Sequence, residues 1–201
     1  MKPLTPPDLL PYAEYELGRQ TYRQRIIELK KRRRISVGDL ITLIFENRET
    51  VLFQIQEMIR TERIFDPQKV QDELDVYNTL LPDPGELRAT LFIEITDNDR
   101  IKQILDNFQD IDRLDTLFIQ LGEEKVSGEF EPGHSKEDKI SAVHFVRFQP
   151  NQSFLAQLPQ TDIPASIRVA HEHYQAEAKV PDPLRREWLA DLELENIKVN
   201  T

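Results

Sequence analysis

An α+β fold, with a helical N-terminal portion packed on a largely antiparallel sheet, is the architecture this sequence predicts, and three observations predict it. The first 80 residues carry apolar side chains mostly at helical spacing; Pro82 and Pro84 then interrupt the chain; beyond Pro84 the texture changes to the strict alternation of half-buried strands. At 201 residues, 39% of them hydrophobic and 31% charged, the chain is long enough to bury a core without disulfide or metal staples. The portions 1–84 and 85–201 read as parts of one compact domain.

The elements follow in order. Thr5 is placed to cap a short helix through Asp8, Leu9, Tyr12 and Tyr15, with Pro6 and Pro7 at early positions and Gly18 at its end. From Arg19, Tyr22, Ile26 and Leu29 recur at helical spacing, with Arg23, Lys30 and Arg34 on another face. Gly38-Asp39 marks a turn inside a β-branched run, and a strand follows over Leu40 to Phe45. Glu49 to Arg63 is helical by its apolar repeat, and Asp66-Pro67 opens a further helix through Val70, Leu74 and Tyr77. Alternation then predicts strands over Ala89 to Ile95, Leu117 to Leu121 and Val126 to Phe130, with a helix over Asp99 to Phe108. Glu131 to Asp138 is a charged loop. Ile140 to Phe148 is apolar on both parities, as in a central strand covered on both faces. A short helix at Ser153 to Leu158, a strand or hairpin over Ile167 to Val180 and a helix from Pro181 through Trp188 complete the chain.

Charge is strongly segregated. Between Arg19 and Arg34 eight Lys and Arg face one acid, Glu28, a local +7 in a chain whose total is −10. Such concentration needs a tolerant helix face, an acidic partner or an opposite-sign surface. Arg23, Lys30, Lys31, Arg32, Arg33 and Arg34 are therefore candidate contacts for an acidic protein partner. The alternative is pairing with the protein's own acids while the alkyl stems cover apolar area. Nucleic-acid binding is disfavoured, because the chain is acidic and Tyr22 is the one aromatic among these cations. Membrane-surface binding lacks a Trp, Phe and Leu wedge. The N-terminus has no apolar run of a secretory signal and no stretch approaches a membrane span, so the expected location is the cytoplasm.

Several chemistries are excluded outright. Zero cysteines remove disulfides, thiolate catalysis and a cysteine-ligated iron-sulfur cluster. Six scattered glycines form no phosphate-binding loop, and His171-Glu172-His173 has the wrong spacing for a zinc helix. Two constellations remain. His171 and His173 share one face of an extended segment, and with His144 from the central strand they would offer three imidazoles to zinc, iron or nickel. A lone His on an apolar strand face is otherwise a buried, hydrogen-bonded group. The second set is Glu46, Asn47, Arg48, Gln56, Glu57, Arg60, Glu73, Tyr77 and Asn78. Carboxylates near arginines make an acid-base pair, a ligand clamp, or a structural ion-pair network.

One resemblance covers nearly the whole chain, from Met1-Lys2-Pro3-Leu4 to Trp188. Its motifs are Lys30-Lys31-Arg32-Arg33-Arg34, Phe45-Glu46-Asn47-Arg48, Phe53-Gln54-Ile55-Gln56-Glu57-Met58, Glu62-Arg63, Asp72-Glu73-Leu74, Tyr77-Asn78 and Ser141-Ala142-Val143-His144-Phe145. These resemble an uncharacterised bacterial family carrying a domain-of-unknown-function label. The resemblance implies gene company with rubrerythrin-like di-iron proteins and iron-sulfur oxidoreductases, and no assigned reaction. The family's C-terminal His-Pro-x-Tyr pattern falls on His171 and Tyr174, with Glu172 at the proline and His173 without a counterpart. The expected function is a cytoplasmic binding or accessory protein, presenting its basic helix to a rubrerythrin-like or iron-sulfur partner in a peroxide-detoxifying or electron-transfer system. The alternative is a small metal-dependent enzyme or metal-handling protein built on His144 and His171.

Overall fold

A computed structural model describes residues 1–113, 115–131 and 140–193. Thr5 caps only a single 3-10 turn, Pro6–Asp8. Helix α1 then runs unbroken over Tyr12–Arg33, straight through Gly18, which corrects the expected break. One glycine costs a helix about 1 kcal/mol, and the stripe of Tyr15, Ile26 and Leu29 buried along α1 outweighs it. Arg34 is not on the helix; it opens strand β1 (Arg34–Val37), which turns through Gly38 into β2 (Ile41–Glu46). Asn47 caps α2 (Arg48–Glu62) by accepting from the Glu49 and Thr50 amides, and Asp66 caps α3 (Pro67–Asn78) in the same manner.

The second half contributes β3 (Leu87–Ile93), α4 (Ile101–Asp106), β4 (Leu117–Leu121), β5 (Glu124–Phe130) and β6 (Val143–Phe148). Then come α5 (Gln152–Gln157), β7 (Ala165–His171), β8 (Tyr174–Lys179) and α6 (Asp182–Asp191). From Pro132 the expected charged loop lies outside the described residues, and His134 with it.

The α+β mixture holds, but the sheet is not a flat layer beneath the N-terminal helices. Its eight antiparallel strands, in the order β1-β2-β3-β6-β5-β4-β7-β8, curl into a nearly closed barrel. Two of them, β1 and β2, come from the portion that reads as helical, and β2 pairs with β3 across Pro84. Alternation sends Leu43, Phe45, Leu91, Val146, Ile119 and Ile167 into the barrel. Trp188 and Leu184 of α6 plug one end against Phe45, and Phe108 and Ile111 fill the other beside Tyr174. A second, smaller core of Leu4, Val51, Ile55 and Leu74 joins α2, α3 and the N-terminal segment, and reaches Phe145 on the barrel's outer wall.

The seam is closed by one side chain. The Tyr174 hydroxyl of β8 donates to the Val37 carbonyl (2.7 Å) and accepts from the Leu40 amide (3.1 Å). It can do so because residue 38 is glycine: a Cβ there would stand 2.2 Å from that hydroxyl, and φ is +70°.

The fold's other tie is Arg33. Its side chain is fully buried, so it is not a partner contact, which corrects that expectation for one of the six cations. A buried guanidinium must be paired and hydrogen-bonded. Arg33 donates to the carbonyls of Phe45 (2.6 Å) and Glu46 (3.3 Å) at the end of β2, to Glu187 (2.8 Å) and to Asp191 of α6. Burial pushes the Asp191 carboxyl up to about 6 even against the pull of Arg33.

Two predictions follow from these ties. Gly38→Ala should lower unfolding stability by about 1–3 kcal/mol in urea titrations, with Tyr174→Phe losing less; an unaffected Gly38→Ala would show that the seam is not tight. Between its unfolded value near 4 and its folded value near 6, Asp191 holds a proton only in the folded state. Its contribution is therefore full at low pH and lost as pH rises through about 6. Relative to Asp191→Asn, the natural protein should lose roughly 2 kcal/mol between pH 4 and pH 7, read from urea midpoints at both values.

Candidate functional site

The period-two rule that fills the barrel also decides what faces outward. On the wall formed by β2, β3, β6 and β5, the outward positions are Glu46, Arg88, Thr90, Phe145, Arg147 and Glu129. α2 and α3 stand over this wall without covering it completely. Between them and the strands runs an open groove with two adjoining hollows, about 460 and about 500 Å³, that share Thr79 and Glu131. The first is lined by Met58, Tyr77, Leu80 and Phe145, with Gln54 and Glu73 as polar members. The second is lined by Arg88, Glu129 and Arg147. Beneath them Glu46, Arg88 and Thr90 border a small inner cavity of about 10 Å³, room for one water-sized group.

Glu46 is the unusual member. It is 3% exposed, and its carboxylate is held by neutral donors alone: Thr50 Oγ1 (2.5 Å) and Gln54 Nε2 (3.1 Å) on Oε2, Thr90 Oγ1 (2.7 Å) on Oε1. Among the described residues it makes no ion pair. The arginines nearby are otherwise engaged. Arg147 grips Glu129 through two nitrogens (2.9 and 2.6 Å), and Arg88 gives Nη1 to Glu131 (2.7 Å) and to the Thr79 carbonyl. Arg88 Nε is buried without a hydrogen-bond partner; the nearest carboxylate, Glu86, stands 3.5 Å away. Burial, with Glu73 beside it, pushes the Tyr77 phenol above its ordinary value, so it remains a donor at neutral pH.

The polar set expected over Glu46 to Asn78 therefore divides. Glu46, Glu73 and Tyr77 line the groove or its floor. Arg48, Gln56, Glu57, Arg60 and Asn78 instead fasten the N-terminal segment and α1. Asn78 exchanges two hydrogen bonds with the Leu4 backbone (2.8 and 2.9 Å), and Gln56 does the same at Leu10 (3.0 and 3.1 Å). Arg48 beside Asp8 (2.7 Å) holds that carboxyl down to about 2. Glu57 takes Arg19 through both oxygens and the Tyr15 hydroxyl, and Arg60 meets Glu16 at 2.8 Å. Arg88, Thr90, Glu129 and Arg147 lie outside the polar set that the sequence singles out. The signal was their parity: each sits opposite the apolar positions of its strand.

The basic run is largely matched by the protein's own acids. Arg25 meets Glu49, Lys31 meets Glu28, Arg32 meets Glu187 and Arg34 meets Glu94. Arg23 and Lys30 make no ion pair among the described residues.

The three imidazoles do not form one ligand set. His144 on β6 and His171 on β7 are separated by β5 and β4 in the sheet. Among the described residues no group of three His, Asp or Glu side chains is placed to hold a metal ion. His144 Nε2 donates to the Ser141 carbonyl at 2.8 Å. His171 Nε2 donates to the Gln109 carbonyl (2.7 Å) in the loop after α4, while Nδ1 accepts from the His173 amide (3.3 Å) in the turn between β7 and β8, so both ring nitrogens are engaged. His173 is exposed and shares with His171 a polar hollow of about 370 Å³.

Among the described residues no helix is long and apolar enough to cross a membrane. No curated protein matches the chain. A crystal structure titled as a novel protein of unknown function from Burkholderia pseudomallei K96243 is similar to it at 33% identity, covering 95% of this chain and 100% of that one, with a TM-score of 0.87. Residues 3–192 match the family described as "Protein of unknown function (DUF3501)", and the chain belongs to that family.

Proposed function

We propose that this is a binding protein that takes its ligand in the groove between α3 and the outer barrel wall. The Glu46 carboxylate carries this reading, buried beneath an open groove with no ion pair among the described residues. A carboxylate buried with neutral donors alone lacks the counter-charge that ordinarily offsets its desolvation, and such arrangements concentrate where a ligand supplies a further interaction. The apolar surface of Met58, Tyr77, Leu80 and Phe145 beside it provides contact area for a ligand body. With indole at millimolar concentration, proton–nitrogen correlation spectra should show the Tyr77, Leu80 and Phe145 amides shifting while those of α1 stay in place. Tyr77→Ala should weaken this binding about tenfold. Shifts confined to α1, or none at all, would remove the groove as a binding site.

A second reading keeps α1 as a docking surface for an acidic partner, of the rubrerythrin-like or iron-sulfur class that the resemblance implies, in a peroxide-detoxifying or electron-transfer system. Its support is the pair Arg23 and Lys30, two turns apart on α1 and outside the ion pairs that match their neighbours. Arg23→Glu with Lys30→Glu should abolish pull-down of such a protein at low salt. Capture that persists in the double variant and in about 0.5 M salt, where exposed charges are screened, would count decisively against this contact.

A further inference from the structure

We infer that the ligand of the groove is an organic cation, an ammonium carried on an apolar or aromatic body, an inference that rests on the groove reading above. The hollow of about 460 Å³ beside α3 sets Met58, Tyr77, Leu80 and Phe145 together with two carboxylates, Glu73 and Glu131, and no Lys or Arg lines it. Glu131 is matched by Arg88 (2.7 Å). Glu73 is not: half-buried on α3, it makes no ion pair and no hydrogen bond among the described residues. Lys69, one turn earlier on α3, is exposed and makes no ion pair with it. After burial, the Glu73 charge is the second cause that pushes the Tyr77 phenol upward, so its field reaches the aromatic wall.

A further negative charge lies behind this wall. Gln54, which lines the same hollow, gives its amide to the Glu46 carboxylate (3.1 Å). Taken over both hollows and the inner cavity, Glu46, Glu73, Glu129 and Glu131 face Arg88 and Arg147, a net charge of −2. Both arginines are held by Glu131 and Glu129 in the adjoining hollow. The arrangement discriminates ligands by charge. An ammonium entering the apolar hollow gains the Glu73 carboxylate and the π-systems of Tyr77 and Phe145, whose quadrupoles attract cations. An alcohol of the same shape keeps the apolar contact and forgoes both attractions. A carboxylate meets Glu73 as a like charge and finds the neighbouring guanidinium groups already paired.

The test uses the natural protein with three probes of one shape, tryptamine, tryptophol and indole-3-propionate, followed by proton–nitrogen correlation spectra at low salt. Tryptamine should bind about tenfold more tightly than tryptophol, about 1.4 kcal/mol, and shift the Glu73, Tyr77, Leu80 and Phe145 amides; indole-3-propionate should bind most weakly. Glu73→Gln, checked as folded by circular dichroism, should lose the preference for tryptamine. Tryptophol or indole-3-propionate binding the groove as tightly as tryptamine, or a preference that survives in Glu73→Gln, would overturn the charge inference and leave the groove reading standing. If none of the three shifts groove amides, both are overturned.

Discussion

A guanidinium taken wholly out of water needs its charge paired and its nitrogens hydrogen-bonded, and the Arg33 side chain, with a partner on each nitrogen, meets that need by joining three parts of the chain. It leaves the last turn of α1, takes the carbonyls of Phe45 and Glu46, and reaches Glu187 and Asp191 on α6. Because Asn47 caps α2 immediately afterwards, those carbonyls fix where the strand stops and the helix begins. The backbone of Glu46 is thereby held between an ion-pair network on one side and a helix cap on the other. The side chain at the floor of the groove inherits that rigidity, as a preorganised binding group requires.

Much of this was legible in one dimension. Asp66 announces its helix, Gly38 its turn, and the two-parity apolar run of β6 an interior place in the sheet. What was not legible depends on contacts far apart in sequence. Nothing local tells that Tyr174 will reach Val37 and Leu40, so the closure of the barrel is invisible until the strands are ordered. Arg33 is a different kind of miss. Read as a member of a charge run it belongs to the surface, yet it follows Ile26 and Leu29 at seven and four residues, on the stripe that α1 buries. Helical phase, not charge density, decides where a side chain lies.

The candidate site shows the same division. Glu46, Glu73 and Tyr77 could be singled out by residue type, and they meet at one groove. Gln56 and Asn78 have the same polar character, but their paired donor and acceptor each match a backbone N–H and C=O of the N-terminal segment. His171 and Tyr174, which carry the resemblance near the C-terminus, hold a loop and a seam respectively.

The chain's single tryptophan, Trp188, lies fully buried with its ring 4.8 Å from that of Phe45, where α6 seals the barrel. All indole emission from this protein therefore originates at one junction. Fluorescence during denaturation is a local optical gauge of whether the plug helix remains seated, and its agreement with the far-ultraviolet signal of the strands measures how cooperatively lid and barrel come apart.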